Sequence, residues 1–171
     1  MSQHEYASVN EKLDWKKAKN IVAGVDVGAV STKAMILLDG QAYAISLVTT
    51  RVPEESALKA VKAALAKTDM PMEKIQYLVG TGRGRKQVEF AHKTLSEIVC
   101  AALGAVHVWG PSVRTVLDAG GQSLRVIQCT EKGRATSFLW NDKCAAGVGR
   151  SMDAGCVCPP MNMQAFGGIA Q

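Results

Sequence analysis

The sequence predicts an α/β domain, a sheet packed by helices, and three observations carry that prediction. Short apolar runs of strand length alternate with segments in which apolar residues recur at helical spacing. Two of the runs, IVAGV at 21–25 and the pair Val116-Leu117, lead directly into an aspartate followed by a glycine, as Asp26-Val27-Gly28 and Asp118-Ala119-Gly120. Asp39-Gly40 separates two further apolar runs, which is the pattern of a two-residue hairpin turn.

In chain order, residues 1–20 are polar and predict a partly ordered extension. Residues 21–25 read as a strand, DVGAVSTK at 26–33 as a loop, and residues 34–38 and 43–49 as strands on either side of Asp39-Gly40. The loop gathers the groups a metal-bound triphosphate needs. Asp26 suits a metal ion's water, Gly28 close backbone approach, Ser31 and Thr32 phosphate oxygens, and Lys33 the charge. Its spacing is not that of a P-loop, and a plain β-turn is the alternative. Pro53 opens a helix in which Ala57, Leu58, Val61, Ala64 and Leu65 recur at helical spacing. Met70-Pro71 breaks it, and residues 75–79 form a fourth strand running into GTGRGR at 80–85, a turn for an anion or a solvated basic turn. Over 86–103 the spacing of Val88, Ala91, Leu95, Ile98, Val99 and Ala102 predicts an amphipathic helix with His92 on its surface. Gly104 is its expected cap and 105–109 the next strand. No tandem repeat is evident.

Residues 115–150 organise the rest. A buried strand delivers Asp118 into Gly120-Gly121-Gln122, where adjacent glycines bring backbone N–H groups to a phosphate and the carboxylate holds a magnesium ion or its waters. Asp26 and Asp118 are therefore the candidate catalytic carboxylates. Gly28, Ser31, Thr32, Lys33, Gly120, Gly121 and Gln122 are the candidate phosphate-binding residues. Residues 124–129 and 135–140 read as a hairpin closed by Glu131-Lys132-Gly133. In NDKCAAGVGR at 141–150, Cys144 lies beside Lys143 among small residues. That setting favours a thiolate and a metal or iron–sulfur ligand, the alternative being a small buried cysteine.

Composition narrows the partners. The chain has 171 residues, 47% hydrophobic and 20% charged, which is globular rather than disordered. The net charge of +5 is spread over lysines without a basic stripe interleaved with aromatics, so no nucleic-acid partner is expected. Five cysteines with no secretory signal ahead of them predict reduced thiols and a cytoplasmic protein. No apolar run approaches the ~20 residues of a membrane span.

DVGAVSTK, DAGGQ, GTGRGR, LSEI and NDKCAAGVGR resemble the ATPase family of 2-hydroxyacyl-CoA dehydratase activators and benzoyl-CoA reductase ATP-binding subunits. The resemblance covers residues 21 to about 150, and NDKCAAGVGR is its most specific piece. It implies an actin/hexokinase/Hsp70-like fold, in which two ribonuclease-H-like halves clasp ATP. The plan would then be a polar extension at 1–20, a ribonuclease-H-like ATPase domain with its hinge region at 21–150, and an atypical tail at 151–171. The resemblance also implies ATP, Mg2+ and a 4Fe-4S cluster that bridges two subunits in a homo- or heterodimer, with Cys144 as its first cysteine. ATP hydrolysis would drive low-potential electrons from reduced ferredoxin or flavodoxin into an acyl-CoA reductase or dehydratase.

Three departures stand out. Ser123 follows Gly121-Gln122 where the family has an acidic residue, Arg83 stands where an aromatic is commoner, and residues 151–171 replace the family's second half. In that tail Gly167-Gly168-Ile169-Ala170 resembles the family's adenosine-side segment, and Cys156 and Cys158 are the available substitutes for a second cluster ligand. VEFAHKTLSEI leans towards the benzoyl-CoA reductase branch. Two other functions fit the Asp turns: a kinase-like phosphotransferase of the same fold, and a non-catalytic interaction module.

Overall fold

A computed structural model describes residues 5–120 and 123–141 of the chain. The chain divides into two compact units, Met1–Cys100 and Ala101–Gln171.

The first unit is built on a six-stranded sheet in the order β1-β4-β3-β2-β5-β6. β2 (Ile21–Val27), β3 (Ser31–Leu38) and β4 (Gln41–Thr49) form an antiparallel meander. Helix α1 (Pro53–Leu65) then crosses over, so that β5 (Tyr77–Thr81) runs parallel to β2 and the short β6 (Lys93–Thr94) parallel to β5. Strict alternation along β2 buries Ile21, Ala23, Val25 and Val27. From β3 the same face takes Thr32, Ala34, Ile36 and Leu38. Ala57, Ala60, Val61, Ala64 and Leu65 of α1, which recur at i, i+3, i+4, i+7 and i+8, pack on this sheet. Small residues let helix and sheet approach closely: the buried Ser46 hydroxyl of β4 donates to the Ala60 carbonyl at 2.6 Å. Pro53 opens α1 as expected, with Glu54 and Glu55 complementing the positive end of the helix dipole.

Asp39-Gly40 makes the expected tight turn, with φ of 49° and 83° at its two central residues. Asp39 tolerates the left-handed conformation because its carboxylate accepts the backbone N–H groups of Lys19 at 3.2 Å and Asn20 at 2.9 Å. The polar N-terminal stretch, expected as an extension, instead contributes the edge strand β1 (Tyr6–Val9), antiparallel to β4. Trp15 Nε1 and Lys16 Nζ both donate to the Asp69 carboxylate, at 2.6 and 2.7 Å, and hold the following turn against the end of α1. Hydrogen bonds from Lys16 and Trp15 lower the pKa of Asp69, and backbone N–H groups of Asn20 and Lys19 lower that of Asp39. A carboxylate depressed in the fold stabilises it above the unfolded value of about 3.9 and ceases to do so as pH falls through the folded value. Urea midpoints are therefore expected to drop on acidification through and below pH 4, and Asp69→Asn to flatten that acid limb while leaving the neutral-pH slope unchanged.

Helix α2 (Glu97–Trp109) departs from the expected 86–103. Residues 85–87 form only a short 3-10 turn, and β6 intervenes. Gly104 lies inside α2, and the helix stops at Gly110, whose φ of +88° and N–H bond to the Val106 carbonyl make it the true cap. The strand expected at 105–109 is thus the last part of this helix. His92 lies ahead of it and is exposed, but its role is structural: Nδ1 accepts the Leu78 N–H at 3.0 Å while its backbone N–H donates to the Leu78 carbonyl.

The second unit carries an antiparallel three-stranded sheet, β7 (Thr115–Ala119), β8 (Leu124–Cys129) and β9 (Ala135–Asn141). β8 is the central strand and buries Arg125, Ile127 and Cys129 on one face. The β8–β9 turn needs Gly133: its φ is +73°, and a Cβ there would lie 2.9 Å from the Leu103 Cα. β7 is not the buried strand its sequence predicts, since Leu117 is 67% exposed.

Candidate functional site

The loop expected at 26–33 is a tight hairpin, because β2 and β3 run further than their apolar runs. Asp26 and Lys33 face each other in register on the two strands, and their side chains pair at 3.3 Å, each a little under half exposed. Gly28 N–H donates to the Ser31 carbonyl at 3.1 Å, leaving Ala29 and Val30 at the tip. A Cβ on Gly28 would lie 2.7 Å from that carbonyl, so the turn requires glycine. Two expectations change here. The Gly28 N–H closes the hairpin instead of facing a ligand, and alternation along β3 turns Thr32 inward. Its fully buried hydroxyl shares a 2.8 Å hydrogen bond with Thr50 Oγ1. Ser31 and Lys33 remain on the other face.

The loop after β5 packs directly on this hairpin. β2 and β5 are parallel and bring their carboxyl ends together, with Asp26 opposite Thr81. Carboxyl ends of parallel strands are where open α/β sheets bind ligands. Gly82, at φ +89°, leaves no room for a Cβ, which would meet Asp26 Oδ1 and lie 2.5 Å from the Val27 carbonyl oxygen. Gly84 N–H donates to the same carbonyl at 2.9 Å. Gly82 and Gly84 of GTGRGR thus serve loop-on-loop packing. Arg85, one of the arginines expected for an anion, instead donates to the Gly82 carbonyl at 3.0 Å and pairs with Glu97 at 3.6 Å.

In the second unit Asp118 lies on β7, in register with Arg125 of β8. Arg125 Nη1 donates to Asp118 Oδ2 at 2.5 Å, with the arginine side chain 9% and the aspartate 31% exposed. Gly120 N–H donates to the Ser123 carbonyl at 2.8 Å. The Arg125 guanidinium stacks over the Trp140 ring of β9, 4.8 Å from its centroid. Gly121, Gln122 and Cys144, together with Cys156 and Cys158, lie outside the described residues.

Set side by side, the two hairpins are one device used twice. Each has Asp at the first position, Gly at the third whose N–H closes on the carbonyl of Ser at the sixth, and a cation at the eighth that pairs back to the Asp. The sequence carries this repeat as Asp26-Val27-Gly28-Ala29-Val30-Ser31-Thr32-Lys33 and Asp118-Ala119-Gly120-Gly121-Gln122-Ser123-Leu124-Arg125. It escapes a search for tandem similarity because only the four spaced residue types agree. Arg125 is the site residue that sequence reasoning missed, and its spacing from Asp118, equal to that of Lys33 from Asp26, was the available signal. Among the described residues no three His, Cys, Asp or Glu side chains gather into a metal cage. One partly exposed carboxylate per hairpin is what an Mg2+ of the phosphate-bound kind would need, since it would keep waters and take its other ligands from the nucleotide.

An antiparallel meander, a crossover helix and two parallel strands, with Asp-x-Gly hairpins at strand ends, define an actin/hexokinase-like, ribonuclease-H-like fold. A model of the BadF/BadG/BcrA/BcrD ATPase family matches residues 23–171, and the chain belongs to that family. It is 41% identical over 132 residues to the (R)-2-hydroxyglutaryl-CoA dehydratase activating ATPase of Acidaminococcus fermentans, covering 76% of this chain and 50% of that one. To the activator of lactoyl-CoA dehydratase of Anaerotignum propionicum it is 39% identical over 131 residues, again 76% and 50% of the two chains. The activator of 2-hydroxyisocaproyl-CoA dehydratase from Clostridium difficile, solved with bound ADPNP, superposes with a TM-score of 0.74 at 32% identity, covering 87% of this chain and 56% of that chain. The chain spans about half the length of the curated relatives it matches. Among the described residues no helix is long and apolar enough to cross a membrane.

Proposed function

We propose that this chain supplies the phosphate-handling hairpins of an ATP-dependent activator that delivers electrons to a 2-hydroxyacyl-CoA dehydratase. The observation that carries this reading is the repeated hairpin, which presents an aspartate beside a turn and a cation on the neighbouring strand. An Mg2+-bound phosphate offers each member of the pair an alternative partner, a positive centre for the carboxylate and negative oxygens for the cation. Asp26 would hold a metal-bound water and Lys33 a phosphate oxygen, with Ser31 beside them and the tip N–H groups of Ala29 and Val30 as further donors. Asp118, with Gly120, Gly121 and Gln122, would form the second such turn. Bound Mg2+ would neutralise phosphate charge.

The names of the relatives weigh towards the dehydratase branch over the benzoyl-CoA reductase branch that VEFAHKTLSEI favours. Within this reading Cys144 ligates a 4Fe-4S cluster shared between two subunits, reduced ferredoxin or flavodoxin is the donor, and the dehydratase is the acceptor. A second reading, an interaction module, is favoured by Leu117 and Leu139. They flank Val126 on one face of the second sheet and are 67% and 74% exposed.

The test is anaerobic purification of the full chain, with calorimetric titration of ADPNP in Mg2+ or EDTA and assay of iron and acid-labile sulfide beside Cys144→Ala. The reading expects Mg2+-dependent binding and about four irons per two chains, lost in the variant. Binding without iron, even after reconstitution, would leave the phosphotransferase, checked by phosphoryl transfer to a small acceptor. Neither binding nor iron would leave the interaction module.

A further inference from the structure

The two hairpins share a pattern but differ in where they keep the cation. Lys33 is 45% exposed and its long stem can swing into water. Arg125 is confined: its side chain is 9% exposed, one guanidinium nitrogen is 2.5 Å from Asp118 Oδ2, and its guanidinium lies over the Trp140 ring at 4.8 Å. The three residues occupy directly opposed positions on β7, β8 and β9, since Asp118 pairs with Arg125 and Arg125 with Trp140. They form a row across the sheet from the site carboxylate to the last described strand.

We infer that Arg125 is a positioning residue through which the second hairpin registers a metal-bound phosphate and passes that state to β9. The inference rests on the ATP reading above. Without ligand, Asp118 shares its charge with Arg125. A divalent cation drawn to Asp118 is repelled by the guanidinium, so ligand arrival weakens the Arg125 bond to Oδ2. A lysine in the position of Lys33 would leave for solvent. Arg125 has little solvent to leave for, and a guanidinium relieved of its carboxylate seeks a phosphate oxygen or presses harder on the indole. Either movement changes the Arg125–Trp140 stack, and Trp140 precedes Asn141 and Asp142 on the way to the Cys144 segment. The first hairpin has an exposed cation in the matching position and so acts in binding alone.

The chain's three tryptophans make this measurable. The full chain labelled with 5-fluorotryptophan gives three fluorine resonances, and Trp140→Phe assigns one of them. On adding Mg2+ and ADPNP, the Trp140 resonance is expected to shift, whereas Mg2+ alone or ADPNP with EDTA leaves it in place. Arg125→Met is expected to weaken nucleotide binding and, at ADPNP concentrations that saturate the variant by calorimetry, to leave the Trp140 resonance unmoved. Arg125→Lys keeps the charge but loses the planar fork, and guards against misfolding of the first variant; it is expected to reduce the shift. Nucleotide binding with an unmoved Trp140 resonance, or a full shift in both Arg125 variants, overturns the inference and leaves the ATP reading intact. Absence of nucleotide binding in the wild-type chain overturns both.

Discussion

Gly82→Ala is expected to lower the stability of the first unit by about 3 kcal/mol and to remove Mg2+-dependent nucleotide binding with it. Two costs add. Alanine at φ +89° carries backbone strain of about 1–3 kcal/mol. The new Cβ, 2.5 Å from the Val27 carbonyl oxygen, forces an overpacking shift of about 1–3 kcal/mol. That shift is directed, because the other atom in its path is Asp26 Oδ1, so relaxation moves the carboxylate assigned to the metal's water. Gly24→Ala, at a strand position where a Cβ meets nothing within 4 Å, serves as the control. It is expected to change stability by no more than about 0.5 kcal/mol and to keep binding. Urea midpoints and calorimetric titration of both variants check this. A Gly82→Ala chain as stable as wild type would show that the loop after β5 does not press on the hairpin.

The same contact explains what could and could not be read from the sequence. Strands β2, β3, β4 and β5, the Asp39-Gly40 turn and the Pro53 start of α1 were legible because each is a local signal: alternation, a turn dipeptide, a proline at a helix start. The end of α2 was not, because Gly104 and Gly110 are equal as letters and only the left-handed φ at Gly110 selects the stop. Edge strand β1 was hidden in a polar stretch, since its pairing with β4 is backbone to backbone and Lys59, which pairs with Glu5, is far away in sequence. At the site, the aspartates and their glycines announced themselves, whereas the strand extensions that place Asp26 opposite Lys33 did not. Those extensions take five of the eight residues that read as a loop, and so decide that Thr32 belongs to the core and Ser31 to the other face.

Asp118→Ala and Asp26→Ala are expected to separate stability from binding, although the two aspartates occupy equivalent positions. Asp26 and Lys33 are 42% and 45% exposed, and such a pair contributes about 0–1 kcal/mol, so Asp26→Ala should leave the urea midpoint nearly unchanged while nucleotide binding is lost. Asp118 answers a guanidinium that is 9% exposed. Removing a carboxylate from a buried cation costs far more than the pair itself contributes, about 3 kcal/mol here after allowing for the partial exposure of Asp118. The double variant Asp118→Ala with Arg125→Met discriminates. If the cost lies in the stranded charge, an apolar side chain of similar length beside Trp140 should recover at least half of it. If the double variant is as unstable as the single, the loss comes from strand geometry at β7, and Asp118 holds the hairpin rather than the cation. Recovery of stability without recovery of binding is the expected combination, since the methionine side chain of that double variant would pack as well as the arginine stem while the Asp118 carboxylate assigned to the metal is gone.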